Sequence, residues 1–244
     1  MKGVSLRVSV VGLGKIGLPL AVQFASKGHR VQGCDIDQRI VGAVNAGVAP
    51  DPTETGLSEL LGSAHAKGLL TATDDTTSAV AESDVVVMVV PLALGSDGLP
   101  DFRFLDAATA AVARGLQPGT LVNYETTLPV GTTRNRWTPA LAAGSGLTPG
   151  ADFFVAFSPE RVFTGRVFAD LRKYPKLVGA IDAESSARAV AFYDSALDFD
   201  PRDDLPRPNG VWDLGTSEAA EMAKLAETTY RDMSVTPILS RMPA

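Results

Sequence analysis

The sequence predicts an α/β fold, a Rossmann-type doubly wound parallel sheet, and three observations favour it. Short runs rich in apolar and β-branched residues alternate with longer amphipathic stretches, which is the order of strands and the helices that cover them. The densest run, residues 85–90 (VVVMVV), contains no polar side chain, as is typical of a strand buried on both faces. A glycine-rich turn at residues 12–17 (GLGKIG) joins the first run to the first helical stretch.

The elements follow in chain order from the spacing of the apolar residues. Short apolar runs predict strands, and apolar residues that recur every three or four positions predict helices. Strands are expected at residues 6–11, 30–34, 85–90, 121–124, 153–157 and 177–180. Helices are expected at residues 18–26, 104–114 and 183–197. Together these elements predict one dinucleotide-binding domain over residues 1–200.

The character of the sequence changes near residue 200. Residues 200–210 (DPRDDLPRPNG) hold three prolines and three aspartates, so a linker is expected at residues 201–210. Residues 217–235 then show helical spacing, with Ser217 as the N-cap. The residues that would form one apolar stripe on this helix are Met222, Leu225, Ala226, Thr229 and Met233. We expect the stripe either to fold back on the first domain or to join two chains in a homodimer.

The composition excludes several classes of partner. The chain has 244 residues and a net charge of −6, so no nucleic-acid or anionic membrane partner is expected. No apolar run approaches the roughly 18 residues of a membrane span. The single cysteine, Cys34, fits a reducing compartment and predicts a cytoplasmic protein. His29 and His65 lack the spacing of metal ligands, so no metal site is expected.

The glycine turn has the spacing of a dinucleotide-binding loop. In such a loop Gly12 makes the tight turn, Gly14 lets the backbone approach a pyrophosphate, and Gly17 lets helix and strand pack closely. The pyrophosphate would then lie on the helix N-terminus, where free N–H groups point at it. Lys15 and Ile16 lie inside the loop and are expected to contact the cofactor too.

An acidic residue stands where the ribose of a dinucleotide is bound. Asp35 ends the second predicted strand, about 20 residues beyond the glycines. A carboxylate there accepts hydrogen bonds from the ribose 2′-hydroxyl and repels a 2′-phosphate, so the sequence predicts NAD rather than NADP. Arg39 is close enough in sequence to contact the adenosine ribose as well. The alternative is a structural glycine turn beside a surface aspartate.

Further blocks of sequence carry a family resemblance. They are residues 12–19 (GLGKIGLP), 33–37 (GCDID), 56–61 (GLSELL), 90–91 (VP), 97–101 (DGLPD), 126–133 (TTLPVGTT), 158–162 (SPERV) and 218–232 (EAAEMAKLAETTYRD). With these blocks in this order, the chain resembles the UDP-glucose/GDP-mannose dehydrogenase family. Within the family it looks most like the UDP-N-acetylmannosamine dehydrogenase type. The resemblance covers residues 4–235.

The resemblance implies an activity and a domain plan. Such enzymes oxidise a sugar CH2OH to a carboxylate in two steps with two NAD and no metal. They join an N-terminal NAD domain to a central helix that builds the dimer and to a C-terminal nucleotide-binding domain with a nucleophilic cysteine. Residues 211–244 are therefore expected to be the truncated start of the central helix, with a homodimer through residues 217–235. The substrate would be a UDP-sugar, with activity impaired because the C-terminal part is absent.

The resemblance also implies roles for single residues in the first domain. Thr127 would lie beside both the nicotinamide and the reacting sugar, and Pro91 beside the cofactor. Glu160 would assist the hydrolytic step, while Arg161 and Val162 would line the sugar pocket. Structural alternatives are a threonine that only hydrogen-bonds its own turn and a surface Glu-Arg pair.

On the last helix the resemblance implies an oxyanion-stabilising lysine, Lys224. Lys224, Thr228 and Arg231 are spaced i, i+4 and i+7, so they share one helix face and could bind a sugar diphosphate. Burial would lower the pKa of such a lysine toward the range that acid–base work needs. The alternative pairs Lys224 with Glu221 or Glu227 on a solvated surface.

Three departures from the family pattern leave other functions open. Leu92 and Thr228 stand where threonine and asparagine are usual. The resemblance also implies that the nucleophilic cysteine belongs to a segment beyond residue 244, and Cys34, expected at the adenosine end, cannot replace it. One alternative is a non-catalytic NAD-binding module or pseudo-enzyme. Another is a dehydrogenase of the 3-hydroxyacid or 6-phosphogluconate type, which also joins a Rossmann domain to a lysine-bearing helix but needs no cysteine. The TTLPVGTT and SPERV blocks favour the nucleotide-sugar dehydrogenases.

Overall fold

The structure, a computed structural model, describes residues 5–51 and 53–239. Its strands are β1 (Arg7–Val11), β2 (Arg30–Cys34), β3 (Leu70–Thr73), β4 (Val85–Met88), β5 (Ala93–Leu94), β6 (Pro100–Asp101), β7 (Leu121–Tyr124), β8 (Phe154–Phe157), β9 (Lys176–Ala180) and β10 (Val211–Thr216). Eight of them form one sheet in the order β10-β9-β8-β7-β4-β1-β2-β3, and β5 and β6 form a separate small hairpin. The predicted Rossmann-type α/β fold is confirmed.

Helices cover both faces of the sheet. They are α1 (Gly17–Ser26), α2 (Gln38–Asn45), α3 (Leu57–Ala66), α4 (Thr76–Ala81), α5 (Arg103–Gly115), α6 (Thr138–Ser145), α7 (Val167–Lys173), α8 (Ala183–Ala196) and α9 (Ser217–Leu239). The all-apolar β4 explains the arrangement, because Val85 and Val87 enter one core cluster while Val86 and Met88 enter the other. Every helix within the described ranges is too short or too polar to span a bilayer.

The strand directions place the loops that carry the sequence motifs at one edge. β1, β2, β3, β4, β7 and β8 run parallel to one another, and within the eight-stranded sheet that the structure describes only β8 and β9 pair antiparallel. The loops after β1, β4, β7 and β8 therefore leave the sheet on the same side. In open α/β sheets this carboxyl edge is where ligands bind.

The segment after the predicted linker differs from the sequence prediction. Residues 211–216 form β10, which pairs parallel with β9, whereas the sequence predicts only the start of a helix there. The strand signal is weak because Asp213 and Gly215 interrupt the apolar residues, and the pairing is irregular between Asp213 and Thr216. The helix itself begins at Ser217, but the predicted N-cap is wrong by one residue, because the Thr216 hydroxyl accepts from the backbone N–H of Ala219 at 3.2 Å. Residues 240–244, assigned by sequence to the same segment, lie outside the described residues.

Helix α9 buries a polar face and exposes its apolar stripe. Ser217, Ala220 and Glu221 are fully buried against the domain, while Met222 is 54% exposed and Met233 69% exposed. The stripe therefore does not fold back on the sheet, which removes one of the two outcomes expected for it. Association through the stripe stays a prediction.

Candidate active site

The glycine turn between β1 and α1 has the shape of a phosphate cradle. Gly12 has a φ of +93°, a conformation that side chains other than glycine rarely adopt. A Cβ atom on Gly17 would lie 1.8 Å from the carbonyl oxygen of Gly12, so helix and turn touch here. A Cβ on Gly14 would meet no atom of residues 5–51 and 53–239 within 4 Å, which leaves open space over the turn. No side chain among the described residues caps α1, so its N-terminal amides remain suited to an anion.

Asp35 stiffens this turn from the end of β2. Its carboxylate accepts hydrogen bonds from the backbone N–H of Leu13 at 2.7 Å and of Asp37 at 2.9 Å. Arg39 forms an ion pair with Asp37 at 2.7 Å, and its side chain is 90% exposed. Ile36, which the sequence reading missed, is 89% exposed beside Asp35. An apolar side chain this exposed offers a packing surface to a flat ligand group such as a nucleobase.

A cavity of about 540 Å³ adjoins the turn on the side of α2. Its wall includes Gly14, Lys15, Asp37, Arg39 and Asp51. Lys15 and Arg39, the two basic residues predicted to contact the cofactor, thus line the same cavity. The volume is in the range of small-molecule sites.

The loops after β4 and β7 are tied together at the next position along the edge. The Thr126 hydroxyl donates to the carbonyl oxygen of Val90 at 2.6 Å. Pro91 directly follows Val90, and Thr127 directly follows Thr126. Both are exposed at the carboxyl edge. Leu92 packs against the second core cluster, so the departure from the family pattern at this position fills apolar space.

The loop after β8 contacts helix α9 through the predicted catalytic pair. The Lys224 ammonium donates to the main-chain carbonyl oxygen of Glu160 at 2.6 Å. Burial lowers the pKa of Lys224. Glu227 binds Arg161 at 2.6 Å instead, and Glu221 accepts from backbone N–H groups of the TTLPVGTT block. The solvated pairing of Lys224 with Glu221 or Glu227 is therefore not what the structure contains.

The remaining predicted substrate residues lie around the same loop. Val162 packs against the first core cluster, and the Arg231 guanidinium lies 5.0 Å from the centre of the Phe163 ring. The Thr228 hydroxyl is buried and has no hydrogen-bond partner among the described residues. A buried hydroxyl in this position is a group that a bound ligand could satisfy.

Sequence reasoning missed a buried charge cluster directly behind this loop. The Lys176 ammonium contacts the carboxylates of Glu125, at 2.9 Å, and of Glu160. The Tyr193 hydroxyl donates to Glu125 at 2.5 Å. Burial raises the pKa of Glu125 to about 8, although Lys176 opposes the shift. A charged residue such as Glu125 directly after a fully buried strand is the one signal that could have indicated it.

The only cysteine is unsuited to nucleophilic work. Cys34 is buried at the end of β2, and burial raises the pKa of its thiol to about 12. A thiol with so high a pKa is almost entirely protonated at neutral pH, and only the thiolate is reactive. The structure places Cys34 at the end of β2, directly before Asp35, and its position at the adenosine end of the cofactor stays a prediction.

Comparison with known proteins decides the family. The sequence model of the UDP-glucose/GDP-mannose dehydrogenase family, NAD binding domain, matches residues 6–197. The chain belongs to the UDP-glucose/GDP-mannose dehydrogenase family. NAD is therefore the cofactor of this domain, and the open space at Gly14 and the uncapped α1 fit its pyrophosphate.

Relatives within the UDP-glucose/GDP-mannose dehydrogenase family are similar over nearly the whole chain. UDP-N-acetyl-D-mannosamine dehydrogenase of Pyrococcus horikoshii is 34% identical over 230 residues, which is 94% of this chain and 51% of that protein. Its structure matches with a TM-score of 0.84 over 93% of this chain and 51% of the other. A ternary complex of GDP-mannose dehydrogenase from Pseudomonas aeruginosa matches with 26% identity and a TM-score of 0.85, over 95% and 51% of the two chains. The chain thus spans about half the length of these relatives.

The hydrogen bonds of Asp35 predict that Asp35→Ala binds its cofactor more weakly. Asp35→Ala removes an ionised acceptor from the N–H groups of Leu13 and Asp37, and hydrogen bonds to charged groups each contribute about 1.5–3 kcal/mol. We expect NAD to bind about 10–100-fold more weakly and the preference for NAD over NADP to shrink. Calorimetric titration with both cofactors measures this. An unchanged preference in a folded variant would contradict it.

Proposed function

We propose that the chain supplies the NAD site and the sugar-reacting face of a nucleotide-sugar dehydrogenase. The reaction is the NAD-dependent oxidation of the CH2OH group of a UDP-sugar to a carboxylate. The observation that carries the proposal is the bond from Lys224 to the Glu160 carbonyl. It joins a half-buried lysine on α9 to the loop after β8, at the same edge of the sheet as the glycine turn.

The cofactor would lie along the carboxyl edge from β2 to β7. Gly12, Gly14 and Gly17 with Lys15 and Ile16 would hold the pyrophosphate, and Asp35 with Arg39 the adenosine ribose. Pro91 and Thr127 would flank the nicotinamide. When bound, NAD accepts the hydride from the sugar carbon.

The chain's own residues would handle protons and charge at that carbon. Lys224, whose pKa burial lowers, is suited to stabilise an oxyanion and to exchange a proton with the substrate oxygen. Thr127 would hold the substrate oxygen or a water by its hydroxyl. Glu160 would orient the water of the hydrolytic step. Arg161, Val162, Thr228 and Arg231 would surround the sugar and its diphosphate.

A non-catalytic NAD-binding module is the second candidate, and one observation favours it. The buried, high-pKa Cys34 cannot supply the thiolate that a covalent thioester route needs. A full two-step oxidation would therefore need a cysteine other than Cys34. The module would still bind NAD.

Turnover separates the two candidates. The chain is saturated with NAD and titrated with UDP-N-acetylmannosamine or UDP-glucose while NADH absorbance is recorded. NADH formation that depends on the sugar and is lost in Lys224→Met supports the dehydrogenase. NAD binding with neither sugar binding nor NADH supports the module. A folded chain that does not bind NAD contradicts both.

We also propose a homodimer through the exposed stripe of α9. Met222 and Met233 lie more than half exposed on one helix, and apolar patches of this kind tend to find a partner. Sedimentation over a concentration series should show a dimer, and Met222→Glu with Met233→Glu should shift it to monomer. Arg103→Glu, an exposed change elsewhere, is the control. A parent chain that stays monomeric throughout the series overturns the proposal.

A further inference from the structure

The charge cluster behind the SPERV loop is built from four separate segments. Glu125 follows β7, Glu160 follows β8, Lys176 begins β9, and Tyr193 lies on α8. The side chains of Glu125 and Lys176 are 0% and 4% exposed, and that of Glu160 is 10% exposed. The Lys176 ammonium also lies 4.7 Å from the centre of the Tyr193 ring. One ammonium therefore serves two carboxylates in a nearly dry site.

The count of charges in this cluster does not balance. Two carboxylates and one ammonium carry a net charge of −1, and an uncompensated charge is costly at such burial. Like charges that share a site resolve the cost when one of them takes up a proton. Glu125 is the more deeply buried carboxyl, with a side chain 0% exposed against 10% for Glu160, so its charged form loses more hydration. The proton therefore belongs on Glu125.

We propose that Lys176 is a positioning residue for the Glu160 carboxylate and that Glu125 carries the proton that keeps the buried cluster neutral. The ammonium fixes Glu160 from behind, while Lys224 fixes the main chain of the same residue from α9. Glu160 is thereby held at both its side chain and its carbonyl. The inference rests on the proposed function of Glu160 in orienting water.

The charged groups around Glu125 act on its protonation in opposite directions, and burial decides the outcome. Lys176 on β9 favours the charged form of Glu125, and Glu160 opposes it, while burial has the largest effect and favours the neutral form. Burial lowers the pKa of Lys176 and its two carboxylates raise it, with a net rise, so the ammonium stays charged. The pKa of Tyr193 is raised well above its usual value by burial and by Glu125, so its hydroxyl remains a donor.

The proton on Glu125 is tested by carbon-13 NMR of glutamate carboxyl groups over pH 5–10. We expect one glutamate resonance with a midpoint near the pKa of about 8, and its loss in Glu125→Gln, which resembles the neutral form. Thermal stability gives a second readout. Because the folded pKa of about 8 lies above the ordinary 4.5, Glu125 contributes stability at low pH that is lost as the pH rises from 4.5 to about 8. Glu125→Gln should remove that loss. A Glu125 midpoint below pH 6 overturns this half of the proposal.

The positioning role of Lys176 is tested with a matched pair of variants. In Lys176→Met the Glu160 carboxyl resonance should move and broaden, because its ammonium partner is gone. Lys176→Arg should restore the parent position and width. If Lys176→Met does not fold, Lys176→Gln, whose amide can still donate a hydrogen bond to Glu160 but carries no charge, gives the same test. A Glu160 resonance that is unchanged without the ammonium overturns the proposal.

These readouts do not depend on turnover. An NAD titration of the same samples reports separately whether the cofactor site works. Loss of NAD binding with the expected resonances would count against the proposed function alone. Intact NAD binding with unchanged resonances would count against the positioning role alone.

Discussion

Replacing Gly17 with alanine is expected to weaken NAD binding by about 100-fold. A loss of this size corresponds to one or two hydrogen bonds to a charged phosphate. The added Cβ would lie 1.8 Å from the Gly12 carbonyl oxygen, so either the turn or α1 must move. Such overpacking costs about 1–3 kcal/mol of stability and displaces the amides that face the pyrophosphate. Calorimetric titration with NAD, beside a urea unfolding curve, measures both effects.

Two other glycines serve as controls for Gly17→Ala. An alanine at position 14 meets no protein atom within 4 Å, so Gly14→Ala should fold normally and lose affinity only because its methyl group occupies the space of the cofactor. In Gly42→Ala, on α2, the added Cβ also meets no described atom within 4 Å. This variant should lose neither NAD affinity nor stability. If Gly17→Ala binds NAD as tightly as the parent chain does, the turn tolerates the added Cβ and the prediction is wrong.

Replacing Glu221 with alanine is expected to destabilise the fold by about 2–5 kcal/mol, because two backbone donors lose their acceptor. The Glu221 carboxylate is fully buried and accepts from the N–H groups of Gly131, at 2.5 Å, and of Thr133, at 2.9 Å. It thus joins α9 to the TTLPVGTT block that bears Thr127. Urea unfolding with linear extrapolation measures the loss.

Two further variants show whether the Glu221 effect is that of a buried acceptor. Glu221→Gln keeps one acceptor oxygen, so it should lose less stability than Glu221→Ala. It also removes a carboxyl group whose pKa burial raises. Glu218→Ala breaks a partly exposed ion pair with Arg134 and should cost only about 0–1 kcal/mol. Equal losses of stability in Glu218→Ala and Glu221→Ala would contradict the role of Glu221 as a buried acceptor.

The sequence predicts best what depends on neighbours in the chain. The glycine turn is specified by local geometry, since Gly12 needs a positive φ and Gly17 a close approach, and both are visible as a spacing. The two-faced burial of residues 85–88 follows from an unbroken apolar run. The placement of Lys224 against the SPERV loop came instead from family resemblance, because no spacing relates residues that lie 64 positions apart.

What the sequence does not reveal depends on long-range pairing. Lys176 meets Glu125 across 51 positions and Tyr193 meets it across 68, so no periodic pattern records the cluster. Glu54 is another case, since its buried carboxylate accepts from the N–H groups of Gly165 and Val167 more than 100 positions away. In β10 the local signal is weak, and pairing with β9 supplies the strand.

Calorimetric titration of the chain with NAD, and in parallel with NADP, tests the central claim most directly. The claim is that this chain carries a working NAD site formed by the glycine turn and Asp35. It predicts saturable one-to-one binding of NAD and binding of NADP that is weaker by about tenfold or more, since the Asp35 carboxylate repels a 2′-phosphate. A chain that is folded by circular dichroism yet shows no saturable NAD binding would contradict it.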